Sequence, residues 1–261
     1  AYLHTEHMKQ LRERIDELPG AALNDRSWTP EEVSNVFALV ALAPGFPEFA
    51  ATYRIFVTKL YEKYDRLVAK LDPILEAPTF DRWRIIELDR TRLTSWQSDL
   101  VRFAYTDDPE GRTRFEAWCR YVARMWEGLD AGEAQADFAW PDRPDAPPAG
   151  PVPVVPGHDP NYPHVDLTKY KSAMFDPASP TYDSVKHMVF INASEMSAAE
   201  SLTYLYYGIV KMPMEFYHDI ARHTWDEVRH SQMGVRRLKQ MGYDTRDFSW
   251  HPSTALTPDN L

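Results

Sequence analysis

Cysteine is nearly absent from this chain: Cys119 stands alone among 261 residues. That excludes an intrachain disulfide and any thiolate cluster for zinc or iron–sulfur. A metal ion here has to be held by carboxylate and imidazole, a donor set that favours hard or borderline ions. Long apolar runs are missing too. No stretch approaches the ~20 residues of a membrane-spanning helix, and the opening AYLHTEHMKQLRER lacks the apolar core of a signal peptide. The sequence therefore reads as cytoplasmic, with no membrane partner. Because it opens on Ala1 and not Met, residues upstream are allowed for. Positive charge is in deficit: 29 Lys and Arg face 39 Asp and Glu, a formal net charge of −10. With no Lys/Arg-rich run as a local exception, nucleic acid is excluded as a general partner.

What is present is material for a core, since 44% of the residues are hydrophobic and 13% aromatic. That is enough for one large helical domain or two modest ones. Apolar residues recur at spacings of three and four, with almost no strand-like alternation, so the expected class is all-α. The pattern predicts helices over 3–18, 30–42, 46–72, 80–106, 111–131, 181–211 and 213–241. Pro30 and Pro213 are suited to the first turns of two of them. Residues 141–164 hold nine of the chain's 21 prolines and can form neither helix nor ladder. The expected organisation is an N-terminal helical block (1–140), a proline-rich linker or strap (141–164) and a C-terminal hairpin (165–261), packed together as one domain.

The motif that carries chemistry is Asp226-Glu227-Val228-Arg229-His230, in which Glu227 and His230 sit three apart on one helix face. Glu-x-x-His by itself is common on solvated faces, so its direction matters. At about 100° per residue, Ile220, Gly234, Leu238 and Met241 fall within about 40° of Glu227, while Arg222, Arg229 and Arg236 lie on the other side. His230 sits about 60° to one side of Glu227 and His223 about 40° to the same side, so His223-x-x-x-Glu227-x-x-His230 forms one inward polar strip. In the preceding helix Glu195 lies within the apolar stripe of Met188, Ile191, Ala198, Leu202, Tyr206 and Ile209, whereas Glu200 points aside. The bend near Met212-Pro213 leaves Glu195 and Glu227 each roughly 23–25 Å away at 1.5 Å per residue, so both reach one level. Two inward carboxylates need protons, a cationic side chain or a metal, and no Lys or Arg lies on the inward strips at that height.

These residues resemble the ferritin-like superfamily of di-iron and di-manganese carboxylate proteins, in which one helix of a hairpin supplies Glu and the next supplies Glu-x-x-His. TWDEVRHSQMGVRRLKQMG is similar to the Asp-Glu-x-Arg-His helix of poorly characterised ferritin-like members. The likeness covers residues 181–242, about a quarter of the chain. It implies a ferritin-like helical bundle with extra N-terminal helices and the proline-rich strap. It also implies a metal site of Glu195, Glu227 and His230, with Glu227 bridging and His230 terminal. His223 and Asp226 would stand behind these ligands, and Glu200 and Asp89 are further candidates. The implied cofactor is iron as a di-iron pair, with manganese or a single ion as alternatives. The implied activity is a non-haem di-metal carboxylate oxidoreductase that activates O2 or peroxide and acts on a small molecule.

The second half of such a site is not evident. The N-terminal block has no Glu-x-x-His, and Glu116 lies opposite the apolar face of Trp118, Val122, Met125 and Leu129. Asp89 falls among Leu93, Trp96, Leu100 and Phe103, where a third ligand or a paired structural Asp are both open. Glu215-x-x-His218 places His218 on the arginine face, and is read as surface. His4 and His7 share a face with Leu11, Ile15 and Leu18, which suits packing. His158, His164, His187 and His251 carry no constellation, and Tyr206 suits packing. Two other readings follow: a ferritin-like structural or interaction protein with an incomplete site, or a site completed across a homodimer. A zinc hydrolase is disfavoured, because no His-Glu-x-x-His occurs.

Overall fold

A computed structural model of the chain describes residues 1–18, 36–40, 42–105, 109–131, 141–145, 157–163, 192–209, 211–248 and 250. The described residues are all-α, with no strand among them. The helices are α1 (Tyr2–Asp16), α2 (Phe46–Val68), α3 (Ala77–Tyr105), α4 (Pro109–Ala131), α5 (Met196–Gly208) and α6 (Met214–Gln240), followed by a 3-10 turn, Thr245–Asp247. Among them no helix is long and apolar enough to cross a membrane. Of the predicted helix over 30–42, residues 36–40 are helical and 30–35 lie outside the described residues. The predicted helix over 181–211 is shorter than expected in its described part. Residues 192–194 make a helical turn, residue 195 interrupts it, and α5 begins at Met196; residues 181–191 lie outside the described residues.

The chain divides into two compact units, Gln10–Pro151 and a second made of Ala1–Lys9 with Val152–Leu261. The dividing point at 151 falls inside the proline-rich 141–164 segment. The assignment of residues 1–9 to the C-terminal hairpin differs from the sequence expectation of a 1–140 block, because sequence distance carries no information about that contact.

In the Gln10–Pro151 unit α2 is the central helix. Arg90 of α3 reaches Asp65 at 3.0 Å and Gln97 Nε2 donates to the Arg54 carbonyl at 2.7 Å, so α3 runs back along α2. Arg114 meets Glu48, Trp118 meets Thr52 and Lys63 meets Asp130, so α4 runs parallel to α2. Phe56, Phe115, Trp118, Val122 and Trp126 fill the core between them. The start of α2 is set by Gly45 at the N-cap and Pro47 in the first turn, where a missing backbone N–H costs nothing. Glu48 follows in that turn and is fully buried. It accepts from Arg114 Nε at 2.7 Å and from a terminal guanidinium nitrogen at 3.3 Å. One turn on, Thr52 Oγ1 donates to the Glu48 carbonyl (2.8 Å) and accepts from Trp118 Nε1 (2.9 Å).

The apolar face expected on α3 is divided. Ile86, Leu93 and Ala104 are buried against the neighbouring helices, whereas Trp96 and Phe103 are exposed. The helix is apolar on two sides, and the side of Trp96 and Phe103 meets only the ring edges of Tyr53 and Phe46 and stays largely exposed.

A buried carboxylate stripped of its guanidinium is strongly destabilising. Arg114→Ala is therefore expected to lower unfolding stability by about 3 kcal/mol, measured by urea denaturation. Arg112→Ala, which removes an exposed pairing with Glu116, should change it by no more than about 0.5 kcal/mol.

Candidate metal centre

The second unit is built on α6. Its first half buries Met214, His218 and Ala221, and its second half buries Ser231, Gly234 and Leu238. These are different sides of one helix. The first half is covered by residues from the beginning of the chain: Tyr2 stacks on Trp225 with ring centres 4.8 Å apart, and His218 Nε2 lies 2.9 Å from Glu6 Oε2. His218 is thus a buried, hydrogen-bonded residue and not the surface decoration that its place on the arginine face implied. His7 is buried alongside, and burial pushes the His4 imidazole down to about 4.

The second half of α6 holds the turn that carries Glu195. A Cβ on Gly234 would stand 2.3 Å from the Ala193 nitrogen and 2.8 Å from the Asn192 carbonyl carbon, so the two backbones touch only because position 234 is glycine. One turn earlier the buried Ser231 Oγ donates to the Ala193 carbonyl at 2.8 Å, and Tyr162 OH lies 3.2 Å from Ser231 Oγ. Tyr162, Ala193, Leu238 and Trp250 form the core beneath, with Met196, Val235, Tyr243 and Phe248 around them. Trp250 N donates to the Pro163 carbonyl at 2.8 Å, which ties the 157–163 segment into this core.

Glu227, His230, Ser231 and Gly234 are spaced i, i+3, i+4 and i+7, one face of a helix. The seat for the Glu195 turn and the two α6 donors are therefore presented together. The structure brings Glu195, Glu227 and His230 into one cluster, whose ligand atoms lie within 4.8 Å of one another. His230 Nδ1 is 3.2 Å from Glu195 Oε2 and 3.9 Å from Glu227 Oε2. The other oxygen of Glu227 meets His223 Nε2 at 2.9 Å. Asn192 Nδ2 donates to Glu195 Oε2 at 3.3 Å. Neither Glu195 nor Glu227 pairs with Lys or Arg among the described residues.

The setting is more open than an apolar interior. Side-chain exposure is 16% for Glu227, 33% for Glu195 and 43% for His230, so the cluster is partly open to solvent. Burial, and then the charge of Glu227, push the Glu195 carboxyl above its ordinary range, with His230 acting in the opposite direction.

Of the remaining candidates only His223 reaches the cluster. His223 touches Glu227 but is mostly exposed. Asp226 faces away, paired with Arg229 at 2.8 Å and Arg222 at 3.6 Å. Glu200 accepts from the Asp159 backbone N–H and pins the 157–163 segment, and burial raises its pKa. Asp89 belongs to the Gln10–Pro151 unit, where Arg92 lies 3.4 Å away, and Glu116 pairs with Arg112. Tyr206 packs edge-on against Tyr217. His158 is exposed; His164, His187 and His251 lie outside the described residues. Sequence reasoning passed over Ser231 and Tyr162, although small residues one and two turns beyond Glu227 on its own face were a signal of close approach.

Two carboxylates and an imidazole are hard and borderline donors, and a spread below 4.8 Å suits ligands around a common divalent ion. The residues present fit a metal. The chain matches no family model, no curated protein and no solved structure.

Gly234→Ala is expected to cost about 1–3 kcal/mol through overpacking, read by thermal unfolding, whereas Gly208→Ala, which meets nothing within 4 Å, should not. The raised Glu195 pKa sets a sign as well. The folded state retains this proton to higher pH than the unfolded chain, so its contribution is present at low pH and lost as pH rises through the raised value. Glu195→Gln should thus raise the thermal midpoint of metal-free protein at pH 7 and leave it unchanged at pH 4.

Proposed function

We propose that this chain is a ferritin-like, non-haem metal oxidoreductase in which Glu195, Glu227 and His230 are ligands of a carboxylate-held di-iron centre acting on a small molecule with O2 or peroxide. The observation that carries this reading is the convergence of two carboxylates and one imidazole, from α6 and from the turn ahead of α5, with no lysine or arginine paired to the two acids among the described residues. The resemblance of the Asp226–His230 helix to ferritin-like proteins supports iron over zinc. Bound iron supplies the one-electron and O2 chemistry that no side chain here can.

The chain's own residues do the positioning. His223 occupies Oε1 of Glu227 and leaves Oε2 toward His230, so it orients the carboxylate in the manner of an outer partner. Ser231 and Gly234 hold the turn on which Glu195 stands. The exposed side of His230 leaves an approach from solvent for a small substrate. A second reading, in which another copy of the chain supplies further ligands, is favoured by the three-donor count and by that same open side.

Elemental analysis of aerobically purified protein tests the proposal. Two irons per chain are expected; one per chain favours the shared site, and none overturns the metal reading. Glu227→Ala should abolish bound metal, and stoichiometric metal in that variant would sink the ligand assignment. His223→Ala should weaken iron binding by roughly 10–100-fold without changing stoichiometry.

A further inference from the structure

The solvent side of α3 carries an apolar shelf that the metal reading does not use. Leu88 is 78% exposed, Phe103 73%, Trp96 47%, and Ile85 and Phe46 41% each. The shelf is ordered by its neighbours. Phe46 meets Phe103 edge-on at 5.5 Å, and Tyr53 meets Trp96 edge-on at 4.8 Å. From the exposed fractions, these side chains leave on the order of 600 Å² of apolar surface in water, the upper end of what monomers tolerate. With the charged residues along the stripe it approaches the ~800 Å² per partner of a standard interface.

We infer that this face of α3 is a two-fold docking surface for a second copy of the chain, with the two α3 helices antiparallel. The argument is self-complementarity. Leu88, Arg92, Ser95 with Trp96, Asp99 and Phe103 follow one another at steps of three or four and lie on one stripe roughly 22 Å long. With the two-fold axis between Ser95 and Trp96, Leu88 comes opposite the partner subunit's Phe103. Arg92 comes opposite the partner's Asp99, and the two central tryptophans adjoin. Apolar meets apolar, and opposite charges face each other, at both ends of the stripe. Arg92 and Asp99 each keep 59% of their side chain exposed beside their own-helix pairings with Asp89 and Arg102, so both charges stand at the surface of the stripe. An isologous contact requires this reciprocity. An anionic membrane surface is a poorer occupant, because the stripe bears Asp81, Arg92 and Asp99 on a chain of net charge −10.

Sedimentation velocity on the full chain, from roughly 1 to 100 µM, provides the test. A dimer is expected for the wild type. Leu88→Asp should give monomer with unchanged helical circular dichroism. Arg92→Asp should weaken the dimer about tenfold or more, and Arg92→Asp with Asp99→Arg should restore it. Ser95→Cys should form a covalent dimer with a short thiol cross-linker, with the wild type, whose only thiol is Cys119, as control. The cross-link decides the matter if Leu88→Asp fails to fold. A wild-type monomer across the range, a dimer that survives Leu88→Asp, an unrestored charge swap or an unlinked Ser95→Cys would each overturn the inference.

Discussion

The Glu195–Glu227–His230 cluster depends on two backbones touching. Gly234 leaves room for Asn192 and Ala193 to lie directly on α6, and Ser231 ties down the Ala193 carbonyl. Glu195 is two residues past that contact and stands at a break ahead of α5, not within a helix. Its carboxylate is therefore aimed by the seat, and not by helical periodicity of its own segment. Because Ser231 and Gly234 continue the face begun by Glu227 and His230, any rotation of α6 that keeps the seat also keeps the two donors pointed at Glu195.

The two units treat an inward acid in opposite ways. Glu48 is fully buried, and a guanidinium holds both its oxygens. Such a pair is complete and leaves no room for chemistry. Glu195 and Glu227 share an imidazole instead, sit near each other and are partly open to solvent. Burial, and after it the charge of Glu227, raises the Glu195 pKa. A divalent cation would relieve burial and repulsion together, which is the physical reason for proposing an ion at the second pair and not at the first.

Much of this could be anticipated from residue spacing. The helical class, the ends of the long helices to within a few residues and the meeting of Glu195 with Glu227 and His230 follow from apolar periodicity and equal distance from the Met212-Pro213 bend. The interruption at residue 195 does not follow, because the stripe through Ala198, Leu202 and Tyr206 continues smoothly across it. The burial of His218 was hidden for another reason. Its cover, Tyr2 and Glu6, comes from more than 200 residues away, and an arginine-rich helix face looks solvated until something packs on it. The exposure of Trp96 and Phe103 was misread in the opposite sense: a helix with apolar residues on two sides does not say which side finds a neighbour.

By itself, then, the sequence determined what depends on local chemistry: the absence of thiolate ligands, the all-α class, and a Glu-x-x-His pair on one face of the last helix. Only the tertiary structure decided which acids are neutralised by arginine and which are not, how open the cluster is to water, and that residues 1–9 belong with the hairpin. The reason is physical. Periodicity reports the direction of a side chain relative to its own helix axis, whereas burial, pairing and pKa depend on what arrives from the rest of the chain.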